Sequence, residues 1–279
     1  MPGVNLRESV PVAPEIREAI FLDFDGTLAP ISPDPSSVWL SPTKISLLET
    51  LSGYLPVFIV SGRAFSDIDR LVPVRTLAGL SGDHGAVRRF QDKIEIHPVA
   101  ERSRASLERW TPSLVDFTER IRGIRTEIKE FSLSVHYRGL AEEEVSEVFH
   151  GISALFESWS DKVLFQVVQG KKVWEIRPKG GVTKEETIDF FLSRLAALPP
   201  PANLCRPVMI GDDTTDLLAV NHAIRLGGRG YWVGDRSPGL HDQAKILSDP
   251  DAVWEFLESL LSEAKSGPGR FPKAGFRGR

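Results

Sequence analysis

Two aspartates, Asp23 and Asp25, follow the short apolar run 19–22. They sit two apart at the end of a buried strand, and side-chain alternation puts both carboxylates on one side and Phe24 on the other. Ligands of parallel α/β sheets bind beyond the carboxyl ends of the strands. Two carboxylates there repel one another unless a cation or a proton separates them. One can attack phosphorus as a covalent nucleophile. The other can protonate the leaving oxygen and then take a proton from water. On spacing alone, an Asp- and Gly-rich turn after a strand reads equally well. Asp212, Asp213 and Asp216 place three carboxylates within five residues after another apolar run, 207–210. Magnesium suits such a set, because it takes carboxylate oxygens, retained waters and substrate phosphate. One Asp or Thr here can cap the following helix, but three carboxylates exceed what one cap needs. Ser61-Gly62-Arg63 follows the apolar run 55–60 and offers a hydroxyl and backbone N–H groups to an anion. Plain capping by Ser61 explains that motif equally well. Thr183-Lys184-Glu185-Glu186 has the form of a capping box, with Thr183 as N-cap. Lys184 then stands in the first helical turn, where the macrodipole disfavours a cation and a bound anion would compensate.

The elements that must position these residues alternate between strand and helix, so the fold class expected is α/β with a parallel, Rossmann-like sheet. Strands are expected at 19–22, 55–60, 76–79, 207–210 and 230–233, and a hairpin at 86–90 and 93–97. Helices are expected at 42–51, 64–71, 183–195, 215–224 and 252–264. Between them the pattern changes to helix–strand–strand–helix–strand–strand. The first of these helices, 101–121, is expected to kink or break near Pro112. Strands are expected at 125–130, 132–138, 163–168 and 172–177, around a helix at 142–159. Paired hairpins imply an antiparallel sheet. The division expected is a core of 1–98 and 178–266, an inserted α+β domain of 99–177 and a disordered tail of 267–279.

Taken together and in order, these motifs resemble those of the haloacid dehalogenase-type phosphatases. Asp23-Phe24-Asp25-Gly26-Thr27 resembles the first, Ser61 the second, Lys184 the third and Asp212-Asp213-x-x-Asp216 the fourth. The resemblance extends to trehalose-6-phosphate phosphatases through Phe21 to Ile31, Leu80-Ser81-Gly82-Asp83-His84-Gly85-Ala86, Ser134-Val135-His136-Tyr137-Arg138 and Glu175-Ile176-Arg177-Pro178. It implies a haloacid dehalogenase core with a cap, and hydrolysis of trehalose 6-phosphate through an aspartyl-phosphate. Asp23 would be the nucleophile and Asp25 the general acid and base. Ser61, Gly62 and Lys184 would hold phosphate. Asp23, the backbone carbonyl of Asp25 and Asp212 would bind magnesium, supported by Asp213 and Asp216. Arg63, His84, Glu127, Lys129, His136, Arg138, Glu175 and Arg177 would meet the sugar. Glu185 and Leu217 depart from the family's usual residues, which leaves room for a different sugar phosphate.

Strand periodicity within the insert supports a substrate role independently. Glu127 and Lys129 share a face, as do Ser132, Ser134, His136 and Arg138, and as do Glu175 and Arg177. The two amphipathic helices would cover the apolar face and leave the polar face to sugar hydroxyls, or simply to solvent. A catalytically silent regulatory domain is the third reading, opposed by the intact acidic and basic residues. The 279 residues carry a net charge of −4, which does not suggest a nucleic-acid binder. The lone cysteine allows no intrachain disulfide. No run approaches the ~18 apolar residues of a membrane span. A soluble, cytoplasmic monomer without a signal peptide, acting on a small-molecule sugar phosphate, is expected.

Overall fold

The computed structural model describes residues 17–32, 37–170, 172–180, 182–199, 205–266 and 271. In chain order the elements are β1 (Arg17–Leu22), α1 (Pro42–Leu51), β2 (Val57–Val60), α2 (Phe65–Leu71), β3 (Gly79–Gly82), β4 (Val87–Phe90) and β5 (Lys93–Ile96). Then come α3 (Pro98–Thr118), β6 (Arg125–Ile128), β7 (Leu133–His136), α4 (Glu142–Glu157), β8 (Phe165–Gly170) and β9 (Val173–Pro178). The chain continues through α5 (Lys184–Ala196), β10 (Cys205–Gly211), α6 (Thr214–Arg225), β11 (Arg229–Val233), β12 (Lys245–Leu247) and α7 (Pro250–Ser266).

The larger sheet runs β12-β11-β10-β1-β2-β3-β4-β5. Its six strands from β12 to β3 are parallel, and β4 and β5 add an antiparallel edge. From the central β1 the chain winds one way through β2 and β3, then returns to β10 on the other side. The strand order therefore reverses between β1 and β10, the switch point where ligands of doubly wound sheets bind. Residues alternate between the faces: Ile20 and Leu22 pack in one core with Leu48, Trp254 and Leu257. Ala19 and Phe21 pack in the other with Phe191, Ala219 and Val220. Both faces being buried explains why β1 and β2 read as continuous apolar runs rather than alternating ones.

The second sheet, β6-β7-β9-β8, is antiparallel throughout. Leu133, Val135, Trp174 and Ile176 form its apolar face and pack against Leu107 and Leu114 of α3 and Val148 and Ile152 of α4. The helices thus cover one face, as the periodicity predicts, and the polar face is turned to the larger sheet.

Three expectations need correction. Helix α3 runs unbroken through Pro112. Pro112 removes one backbone donor, but Leu107 and Leu114, buried on either side of it, hold the helix on the sheet. Strand β3 covers Gly79–Gly82 rather than 76–79. Its glycines hide it from a propensity argument. A Cβ on Gly79 would lie 2.7 Å from Phe191, and one on Gly82 2.4 Å from the Phe65 backbone. Strands β6 and β7 are shorter than expected because Lys129 N–H bonds the Ser132 carbonyl (3.0 Å) and closes a tight turn. The expected tail lies outside the described residues except for Phe271, whose N–H bonds the Gly53 carbonyl (3.0 Å). Among the described residues no helix is long and apolar enough to cross a membrane.

Candidate active site

The site forms where β1, β2, β3 and β10 end. The Asp23 N–H donates to the Ile210 carbonyl (3.0 Å), so the ends of β1 and β10 are tied together. The chain then turns sharply: Leu28 and Ala29 N–H groups bond the Phe24 carbonyl, and Gly26 N–H bonds the Ala29 carbonyl. Gly26 has φ +81°, and a Cβ there would lie 2.2 Å from Asp212 Oδ2. Glycine is required twice over, by the left-handed backbone and by the acid beneath it.

Because the strand ends at Leu22, alternation no longer governs Asp23 and Asp25, and their side chains part. Asp23 is buried and faces Lys184, whose Nζ donates to Asp23 Oδ1 (2.7 Å) and Asp216 Oδ1 (2.5 Å). Asp25 instead accepts a two-pronged bond from Arg63, through Nε and an η-nitrogen at 2.7 Å each. Asp23, Asp212 and Asp216 are all buried, with carboxylate oxygens within 4.8 Å of one another. Burial and the neighbouring Asp216 and Asp212 hold the Asp23 carboxyl well above its ordinary pKa, against the pull of Lys184. Burial pushes Lys184 down, yet Asp216 and Asp23 outweigh it and leave the ammonium above its usual range. Three carboxylates around one ammonium leave the pocket short of positive charge. Hard oxygen donors crowded in this way fit a divalent cation such as magnesium.

The expected acidic residues divide. Asp216 Oδ2 accepts the N–H groups of Asp212 (3.3 Å) and Asp213 (3.1 Å), so it braces the loop as well as Lys184. Asp213 stands apart from the group of three. Its carboxylate caps α6 by accepting Thr214 N–H (2.7 Å), as the capping reading has it, and the residue also lines the cavity. Lys184 is the first residue of α5, and Thr183 Oγ1 accepts Glu186 N–H (3.3 Å) as the capping box predicts. The Ser61 hydroxyl is buried and accepts Arg63 N–H (3.1 Å); Gly62 and Arg63 line the cavity, whereas Ser61 lies behind it.

The second sheet roofs a cavity of 420 Å³, a volume suited to a small-molecule ligand. Glu127, Lys129, His136, Arg138 and Glu175 line it from above, with Asp23, Asp25, His84, Lys184 and Asp212 below. Glu127 pairs with His136 Nε2 (2.9 Å). Burial would raise the Glu127 carboxyl, but His136 and Lys129 hold it down at about 2. Glu175 pairs with His84 Nε2 (2.9 Å) and lies 3.6 Å from Lys129 Nζ. Burial opposes its ionisation, and His84 and Lys129 overcome that and hold it below the usual carboxylate range. Burial lowers the His84 pKa despite Glu175. Arg177 is buried on the same face as Glu175 but lies outside the cavity lining, against expectation. Arg125, Lys172 and Arg70 line the cavity without having been singled out. Alternation from Glu127 would have found Arg125. Nothing in the sequence brings Arg70 of α2 or the β8–β9 turn to the same opening.

A parallel sheet wound both ways from β1, acids at its switch point and an inserted sheet over them define the haloacid dehalogenase-type architecture. The family model for trehalose-phosphatase matches residues 21–219, and the chain belongs to that family. A trehalose-phosphate phosphatase of Mycobacterium leprae is 32% identical over 88% of this chain, which corresponds to 58% of that protein. An uncharacterized glycosyl hydrolase of Mycobacterium tuberculosis is also 32% identical over 88% of this chain, but the match covers only 18% of its length. The chain thus spans less than two thirds of both of these relatives. The C-terminal domain of a C. albicans trehalose-6-phosphate phosphatase superposes with a TM-score of 0.72, covering 88% of this chain and 92% of that domain at 24% identity. At that identity the likeness bears on the fold.

Proposed function

We propose that this protein is a magnesium-dependent phosphatase that hydrolyses trehalose 6-phosphate to trehalose and phosphate through an aspartyl-phosphate. The observation that carries the reading is the convergence of Asp23, Asp212, Asp216 and Lys184 at the switch point, beneath a charged roof. Family membership supports the sugar.

Asp23 is the nucleophile. Lys184 holds its carboxylate in place and offsets charge on the incoming phosphate. Asp23 and Asp212, with the Asp25 carbonyl and the bracing Asp216, would hold the metal. When bound, it supplies Lewis-acid polarisation of phosphoryl oxygens. Protonated Asp25 gives its proton to the departing sugar oxygen as the Asp23–phosphorus bond forms. The Asp25 carboxylate left behind pairs with Arg63, the arrangement seen here, and takes a proton from the water that hydrolyses the aspartyl-phosphate. The roof keeps other water out during transfer. Its open groups, Glu127 with His136, and Arg138, offer acceptors and donors suited to sugar hydroxyls.

The test is phosphate release from a panel of sugar phosphates, with and without chelator. Release that is greatest with trehalose 6-phosphate, is abolished by chelation and returns with magnesium is expected. Release with no preference for that ester would instead favour a phosphatase for another sugar phosphate. No release from any member would leave a silent regulatory domain.

A further inference from the structure

The loop 61–63 is held by its carbonyl oxygens. The Ser61 carbonyl accepts His84 N–H (3.0 Å) and the Arg63 carbonyl accepts Asp83 N–H (2.7 Å). Asp83 and His84 have φ of +49° and +57°, a left-handed pair that few non-glycine residues adopt. Both of those bonds come from the larger domain. The third, on the carbonyl between them, does not. Lys129 reaches down from the β6–β7 turn, and its Nζ donates to the Gly62 carbonyl (2.8 Å). Only 6% of the Lys129 side chain is exposed, and Glu175 lies 3.6 Å from its Nζ.

Gly62 is a glycine because His84 lies directly on it: a Cβ there would come within 2.5 Å of the imidazole. The same absence of a side chain leaves the Gly62–Arg63 peptide free to rotate. The C=O and N–H of one planar peptide point in opposite directions. Lys129 therefore fixes both: the carbonyl turned to its own Nζ, and Arg63 N–H turned to the Ser61 hydroxyl. A flipped peptide would exchange the carbonyl and the N–H within the loop and shift the start of Arg63, the residue that grips Asp25.

We propose that Lys129 is a positioning residue, which completes the phosphate loop by holding the Gly62 carbonyl only while the inserted sheet sits over the core. The proposal rests on the reading of 61–63 as the phosphate loop. It couples the two ends of the substrate: groups that draw the roof down also set the loop that takes the phosphate. Lys129 and the Glu175–His84 pair tie the roof to the core, whereas Glu127 pairs with His136 inside the roof; all of them line the cavity.

The test is calorimetric titration of the full-length protein with inorganic phosphate in magnesium buffer, since phosphate has no sugar for the roof to read. Lys129→Met should weaken binding on the order of tenfold or more, the scale of a lost charge-assisted hydrogen bond. Lys129→Arg, which keeps donors within reach, should restore most of it. Arg138→Ala removes a roof charge without touching Gly62 and measures the bare charge effect; the Lys129→Met loss should exceed it. If the methionine variant does not fold, Lys129→Gln, polar but too short to reach the carbonyl, carries the same expectation. Phosphate affinity in Lys129→Met equal to wild type, or reduced no further than in Arg138→Ala, overturns the proposal. Absence of phosphate binding by the wild type overturns the reading of the loop itself, and the proposal with it.

Discussion

Asp23→Asn should abolish turnover and, in chelator, raise the melting temperature. The carboxylate oxygens of Asp23, Asp212 and Asp216 lie within 4.8 Å of one another, so each pair repels by about 3 kcal/mol at an effective dielectric of 20. Lys184 Nζ, at 2.7 Å from Asp23, returns about 6 kcal/mol on the same basis. The two repulsions and the one attraction nearly cancel, and the cost of burial remains. That is why the folded-state pKa of Asp23 stands above the unfolded value. The sign follows: a carboxyl whose pKa is raised by folding lowers stability once the pH exceeds its unfolded value. The neutral amide removes that burden and should raise the melting temperature, each kcal/mol gained appearing as roughly 2–4 °C in a chain of this size. With magnesium at a hundred times its dissociation constant the wild type gains about 3 kcal/mol. The variant lacks a ligand and gains less, so the order of melting temperatures reverses. Scanning calorimetry of both proteins in chelator and in magnesium, alongside phosphate release, makes the check. A chelated variant that melts below the wild type would refute the charge reasoning. Retained turnover would refute the nucleophile.

Two further outcomes are expected. Asp83 is buried beside Ser132 and Phe131 of the inserted unit, and burial raises its pKa to about 6 despite Lys129 and the Ser132 hydroxyl. As pH rises from 4 to 7 the wild type should lose on the order of 2 kcal/mol relative to Asp83→Asn; parallel melting curves across that range would count against it. Glu127→Ala should lower kcat/KM about tenfold or more on the preferred sugar phosphate, the scale of a lost hydrogen bond to a charged group, and much less on a small artificial phosphate ester. Equal losses on both substrates would mean that Glu127 does not meet the sugar.

Much of this was legible in the residues, for reasons that can be named. Buried parallel strands must be apolar on both faces, so β1, β2 and β10 stand out as short runs, and the residues that end them are the acids and the Ser-Gly-Arg loop. Helix capping has a local grammar, which placed Lys184 at the start of α5 and left an Asp or Thr to cap α6, a place that the structure gives to Asp213. Period-two alternation separated Glu127, His136 and Glu175 from Leu133, Val135 and Trp174 without any knowledge of what each face would meet. Strand β3 escaped because its glycines exist for close neighbours, Phe191 and the Phe65 backbone, and no local rule names a neighbour distant in sequence. Pro112 misled because a local rule, the broken helix, was overridden by Leu107 and Leu114 packing on the second sheet.

What the chain alone determined is therefore the inventory: which side chains can do phosphoryl chemistry, where most elements lie, and which face of the insert is wet. Only the tertiary structure decided how they pair. It turned Asp25 to Arg63 and Asp23 to Lys184, though a single residue separates the acids in sequence. It also brought Lys129 onto the carbonyl of Gly62, 67 positions away. Capping and alternation act over a few residues and are written locally. Ion pairs between distant loops depend on how two sheets stack, and that is settled by burial summed over the whole molecule.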